Sequence, residues 1–141
     1  MPTLTIRFAL AIDAVASLAT ALLLLAAAGA LGFTFGAGAF APLFNLPAWL
    51  LRGCGAFFLP WAALCAWLAR HPAPSRRAVA WVAGLNAIWA AGSAMVLLTA
   101  WLAPPPLGTA FVLVQAAAVA VFAVLQASAL TQTRGSPDLQ T

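Results

Sequence analysis

Asp13 is one of only two acids in a chain of 141 residues, and it lies inside a long apolar run from Phe8 to Leu31. A carboxylate at bilayer depth costs about 3 kcal/mol on insertion scales, so something must use it or compensate it. Two chemistries are open to it: taking up and releasing a proton, or accepting hydrogen bonds from neighbouring helices. At 1.5 Å per helical residue, Asp13 is about 9 Å from Arg7, Asn86 about 13 Å from Arg77, and Gln126 about 12 Å from Arg134. Ser17 is about 15 Å from Arg7 on the same scale. Three apolar runs thus place a strongly polar side chain in one layer.

Helical phase supports an inward polar face. Asp13, Ser17 and Thr20 share a stripe, as do Asn86, Trp89 and Ser93, and Gln115, Phe122 and Gln126. Cys54, Trp61 and Cys65 form the matching stripe of the second run, with Arg52, Ala56 and Ala63 on another face. The candidate ligand or proton site is therefore Asp13, Asn86, Gln126 and Ser17, walled by Trp61 and Trp89. The competing reading is interhelical hydrogen-bonded glue, worth about 0.6 kcal/mol per contact. A third lets Arg76 or Arg77 reach down to Asp13. A second polar layer lies further out: Arg52 is about 27 Å from Arg70, and Gln115 about 28 Å from Arg134. These two are the candidate site for a lipid head group, with snorkelling of Arg52 as the plainer alternative.

Other chemistries lack their residues. The only histidine, His71, lies outside every apolar run, which excludes a bis-histidine haem. No HExxH, phosphate loop or nucleophile–histidine–acid set is present, and the expectation is a non-enzyme without cofactor or metal. Cys54 and Cys65 are about 16 Å apart along one helix, too far to bridge, and read as small buried hydrophobes. The net charge is +4, but no basic stripe with interleaved aromatics exists, so nucleic acid is not the expected partner.

The elements that must position these residues are four membrane spans, at about 8–31, 49–69, 78–102 and 109–131. Hydrophobic residues make up 65% of the chain and charged residues 6%, far from the roughly 25% charge of soluble domains. The expected fold is all-α: a single antiparallel four-helix membrane domain over 1–131, followed by a short polar tail at 132–141. Arg7, Arg70, Arg76, Arg77 and Arg134 all fall on one side, which the positive-inside rule makes cytoplasmic, so both termini are expected inside. The first run is too long for the apolar core of a signal peptide and is read as retained. Trp49 and Trp101 mark the outer ends, and Trp67 and Trp81 the inner ends, whereas Trp61 and Trp89 fall well within their helices. Pro60 is expected to kink the second helix near Ala56. Ala83, Ala87 and Ala91, and Ala116 with Ala120, are small-residue rows suited to close helix packing. Pro104, Pro105 and Pro106 make a tight turn, so the third and fourth helices form a hairpin. The outer segment Gly32 to Phe40 alternates small residues with phenylalanine and reads as a membrane-hugging connector or a lid.

Leu51-Arg52-Gly53, Asn86-x-x-Trp89 and Gly108-x-x-Phe111 leading to Gln115-Ala116 resemble a pattern in small, uncharacterised four-helix bacterial inner-membrane proteins. The resemblance implies fold and location and transfers no activity. An acid in the first helix is also similar to small multidrug-resistance transporters, from which the long first outer loop and strong arginine bias depart. The leading expectation is a protein that binds lipid or another hydrophobic ligand, or serves as accessory subunit of a membrane complex. The alternative is a small proton-coupled transporter or channel with Asp13 as proton site. Expected partners are membrane lipids, further copies of the chain, or a larger membrane complex.

Overall fold

The computed structural model describes residues 2–29, 46–99 and 104–132, with side chains from Thr5 onward. It is all-helical: α1 (Pro2–Ala27), α2 (Ala48–Arg70), α3 (Arg76–Leu98) and α4 (Pro106–Gln132). All four are long and apolar enough to cross a membrane. The Phe-rich segment Gly32 to Phe40, together with Trp101 and Arg134, lies outside the described residues.

The helix ends follow local chemistry and shift the expected boundaries. α1 and α4 both begin on a proline, whose missing N–H costs nothing in a first turn. α1 stops earlier than its hydropathy suggested, because Ala28 and Gly29 fold back onto the carbonyls of Leu24 and Ala26, with Gly29 at φ 68°. Ser75 caps α3 by accepting from the Ala78 N–H at 3.2 Å. α2 runs through Pro60 as one helix.

Arginines close three C-termini across helix pairs. Arg7 of α1 donates from Nε to the Ala69 carbonyl of α2 at 2.8 Å. Arg52 of α2 returns the contact, donating from Nη2 to the Ala28 carbonyl just past α1 at 3.1 Å. Arg76 of α3 donates to the Leu130 carbonyl of α4 at 2.6 Å. Each cation meets the negative end of a helix dipole.

Three helix pairs pack closely: α1 with α2, α3 with α4, and α1 with α4. The α3–α4 hairpin is thus as the proline turn required. Gly55 lets α1 and α2 approach: a Cβ there would stand 2.7 Å from Leu25 and 3.2 Å from the Ala21 carbonyl. α2 and α3 stand further apart, although only a short turn joins them. The alanine row of α3 is not a buried seam as expected. Ala83 is buried, but Ala87 and Ala91 are exposed, and Ala80, Ala83, Gly84 and Ala87 border an open groove against Ala123 and Ala127.

The polarity is inside-out. Asp13, Ser17, Asn86 and Gln126 are buried, while Phe8, Val15, Ile88, Leu98, Val114 and Val124 are each more than 60% exposed. Trp49, Trp67 and Trp81 face outward, and Trp61 is buried.

Candidate functional site

The polar layer forms as a closed cluster. Asp13 Oδ2 accepts from Asn86 Nδ2 at 2.7 Å and from Gln126 Nε2 at 2.9 Å. Asp13 Oδ1 accepts from Ser17 Oγ, one turn along α1, at 3.1 Å. Asn86 Nδ2 also donates to Gln126 Oε1 at 3.3 Å, which ties α3 to α4. Asp13 is 1% exposed and Gln126 0%. The fourth helix joins through Cys65, a fully buried thiol beside the Asp13 carboxylate. Among the described residues, the side chains that donate to Asp13 are all neutral. Arg76, one of the two arginines that could have reached down to Asp13, donates to the Leu130 carbonyl.

Two unlike layers enclose this cluster. One helical turn toward the Arg7 end lie Leu10, Leu68, Val82 and Ala129, each at most 2% exposed. They are an aliphatic plug between Asp13 and that end of the bundle. One turn the other way lie Trp61, Trp89 and Phe122, with Ser17 among them.

Beyond the aromatic layer a cavity of about 450 Å³ occupies the half of the bundle remote from Arg7. Its floor includes Asn86, and its walls include Phe57, Phe58, Trp61 and Trp89. Phe57 stacks on Trp89 at 5.6 Å and 3°, and on Trp61 at 6.0 Å and 20°; Phe58 meets Trp89 edge-on at 4.8 Å. Phe57 of α2 and Ile88 of α3, both lining residues, are 46% and 68% exposed, so the cavity opens sideways where these two helices part. A smaller cavity of about 180 Å³ shares Thr20, Phe58, Phe111 and Gln115 with it and reaches Ser17. Asn86 and Ser17 therefore each touch both the carboxylate and a cavity.

Two polar atoms in this region have no hydrogen-bond partner among the described residues: the indole Nε1 of Trp89 and the amide Nε2 of Gln115, both buried and both on residues that line the large cavity. Buried N–H groups without an acceptor are uncommon in native structures and call for an explanation.

Of the residues read as a site, Asp13, Ser17, Asn86 and Gln126 come together. Trp61 and Trp89 stand over them as walls. Arg52 and Gln115 do not meet: Arg52 caps α1 at Ala28, whereas Gln115 faces the cavities. Equal depth on a helix did not bring them together, because their faces point apart. Thr20, on the inward stripe of Asp13 and Ser17, lines both cavities, and Cys65, Phe57 and Phe58 join the site beyond the residues the sequence singles out for it. The stripe Cys54–Trp61–Cys65 already put Cys65 at the right phase. Nothing in the sequence marked Phe57 and Phe58, since apolar residues cover every face of α2. No known protein-family model matches this sequence, and comparison with curated proteins and with solved structures likewise found no match.

Proposed function

We propose that this chain is a non-enzymatic integral protein of a bacterial inner membrane, with both termini cytoplasmic, and that it holds one hydrophobic ligand taken up from the bilayer. The inside-out polarity and the arginine bias support the membrane and the orientation. The observation that carries the ligand is the cavity: about 450 Å³, apolar and aromatic, with a few polar groups at fixed places. Those are the general features of sites for small lipophilic molecules. The opening between α2 and α3 faces where acyl chains would be, so the ligand need not cross water.

Gly92 offers a test. It lines the cavity, and a Cβ added there meets nothing within 4 Å. Gly92→Leu fills the void without disturbing the helix contacts. Native mass spectrometry of the gently extracted protein is expected to show a retained lipophilic adduct. The variant should carry it at about one-tenth occupancy or less while eluting as the same species, since tenfold in affinity is only about 1.4 kcal/mol. Equal adduct in both proteins would remove the cavity as the site.

The proton-coupled reading rests on a different observation. Among the described residues, the partners of Asp13 are neutral, and Asn86 and Ser17 link it to cavities on the side remote from Arg7. Transport would require the aliphatic plug at Leu10 and Val82 to open. Proton-linked flux in vesicles that is lost in a well-folded Asp13→Asn protein would favour transport over simple binding; the same flux in both proteins would exclude Asp13.

A further inference from the structure

We propose that the ligand is a planar, lipophilic carbonyl compound of the quinone or aryl-ketone class. This rests on reading the large cavity as a ligand site. Trp89 Nε1 and Gln115 Nε2 are donors without an acceptor among the described residues, and they come from two adjacent helices, α3 and α4, that line the same cavity. Neither is reached by an acceptor elsewhere in the described residues, so the missing partner is a group that accepts and does not donate. A carboxylate or phosphate would bring an uncompensated charge, because no arginine lines this cavity. An alcohol would bring a further donor into the same apolar space. A carbonyl oxygen brings two lone pairs and nothing to be satisfied in turn. The Gln115 amide turns about a broad terminal torsion, so its NH2 can follow such an oxygen at little cost.

The planarity comes from the wall. The Trp89 and Phe57 rings stack with their planes parallel to within 3°, and Trp61 stacks on Phe57 at 20°. Three near-parallel rings favour a flat π-system laid against them over a branched aliphatic one. A volume of about 450 Å³ takes a substituted ring, and an alkyl tail leaves through the gap between Phe57 and Ile88.

The test uses the full chain, delipidated in detergent, with decylubiquinone as probe and decylbenzene as the carbonyl-free control. Bound probe per protein is measured by equilibrium dialysis. Decylubiquinone should bind at least about tenfold tighter than decylbenzene, the discrimination expected when a buried donor gains or lacks its acceptor. Trp89→Phe keeps a ring and removes the N–H; Gln115→Leu keeps the bulk and removes the amide. Each should lower quinone affinity severalfold and leave decylbenzene affinity unchanged. Gln115→Leu should melt no lower than the parent, because it deletes a donor that is unpaired in the free protein, whereas Trp89→Phe also gives up indole contacts with Phe57 and Phe58. Equal binding of the two probes, blocked by Gly92→Leu, would overturn the carbonyl class and keep the cavity. No binding of either probe, together with a retained-adduct occupancy that Gly92→Leu does not change, would overturn the cavity reading itself.

Discussion

Among the described residues, Asp13 takes its hydrogen bonds from one alcohol and two primary amides, and these neutral groups offset its burial. The arrangement predicts which substitutions matter. In Asp13→Asn the remaining carbonyl oxygen can still accept from Asn86 and Gln126, and the new NH2 faces Ser17, whose oxygen can accept in its turn. The expected loss of stability is within about 1 kcal/mol. Asp13→Leu leaves Ser17 and Gln126 without their acceptor and Asn86 with only its longer bond to Gln126 Oε1, and the expected loss is about 3 kcal/mol or more. Tryptophan-fluorescence melts in detergent measure both; equal melting of the leucine variant and the parent would show that the cluster does not hold the bundle. Much of this cluster was legible beforehand. The fixed helical rise gave depth, and depth alone selected Asn86 and Gln126 as companions of Asp13. Cys65 escaped because a thiol reads as a hydrophobe until its neighbour is known. The orphaned N–H groups of Trp89 and Gln115 were not legible at all, since a missing partner is a property of the packed state.

The helices are fastened at their ends as well as along their faces. Arg7 and Arg52 exchange caps between α1 and α2, and Arg76 caps α4 from α3. The arginine positions were readable as topology signals, but their capping role depends on which helices are adjacent, and phase does not settle that. Arg52→Ala should lower stability by about 1 kcal/mol through loss of the charged cap on α1, with Arg52→Gln restoring part of it as a neutral donor. A loss seen only when anionic lipid is present would instead return Arg52 to the role of head-group ligand. Close approach gives a second test of the α1–α2 pair. Gly55→Ala puts a methyl group against Leu25 and the Ala21 carbonyl, and should destabilise; Gly53→Ala, where the Cβ meets nothing within 4 Å, should not. Because Leu25 is flexible but the carbonyl is not, relief is incomplete, and a cost of about 1–3 kcal/mol is expected for Gly55→Ala. Equal melting temperatures for the two alanine variants would mean that α1 and α2 are looser than this contact implies.

At the scale of the molecule, the bundle is an open one. α1 sits between α2 and α4, α3 flanks α4, and the α2–α3 side is left apart with the cavity behind it. The number of helices and their antiparallel order were legible, because four runs of sufficient length separated by breakers leave few other solutions. The gap was not. A five-residue connection of His71, Pro72, Ala73, Pro74 and Ser75 ordinarily makes its flanking helices close neighbours, and here aromatic side chains hold them off. Asymmetry between the two ends carries the orientation. One end bears Arg7, Arg70, Arg76 and Arg77, while the other bears Arg52 alone, already engaged at the α1 terminus. In the orientation proposed above, the 71–75 turn lies in the cytoplasm and the start of α4 outside. Ser75 and Leu107 are exposed residues at these opposite ends, and the native Cys65 is buried with Cys54 half-buried. A membrane-impermeant maleimide should therefore label Leu107→Cys in intact spheroplasts and Ser75→Cys only after permeabilisation, with the parent protein as background. The reverse pattern would invert the proposed orientation, and with it the leaflet nearest the cavity, while leaving the bundle and its polar layer as described.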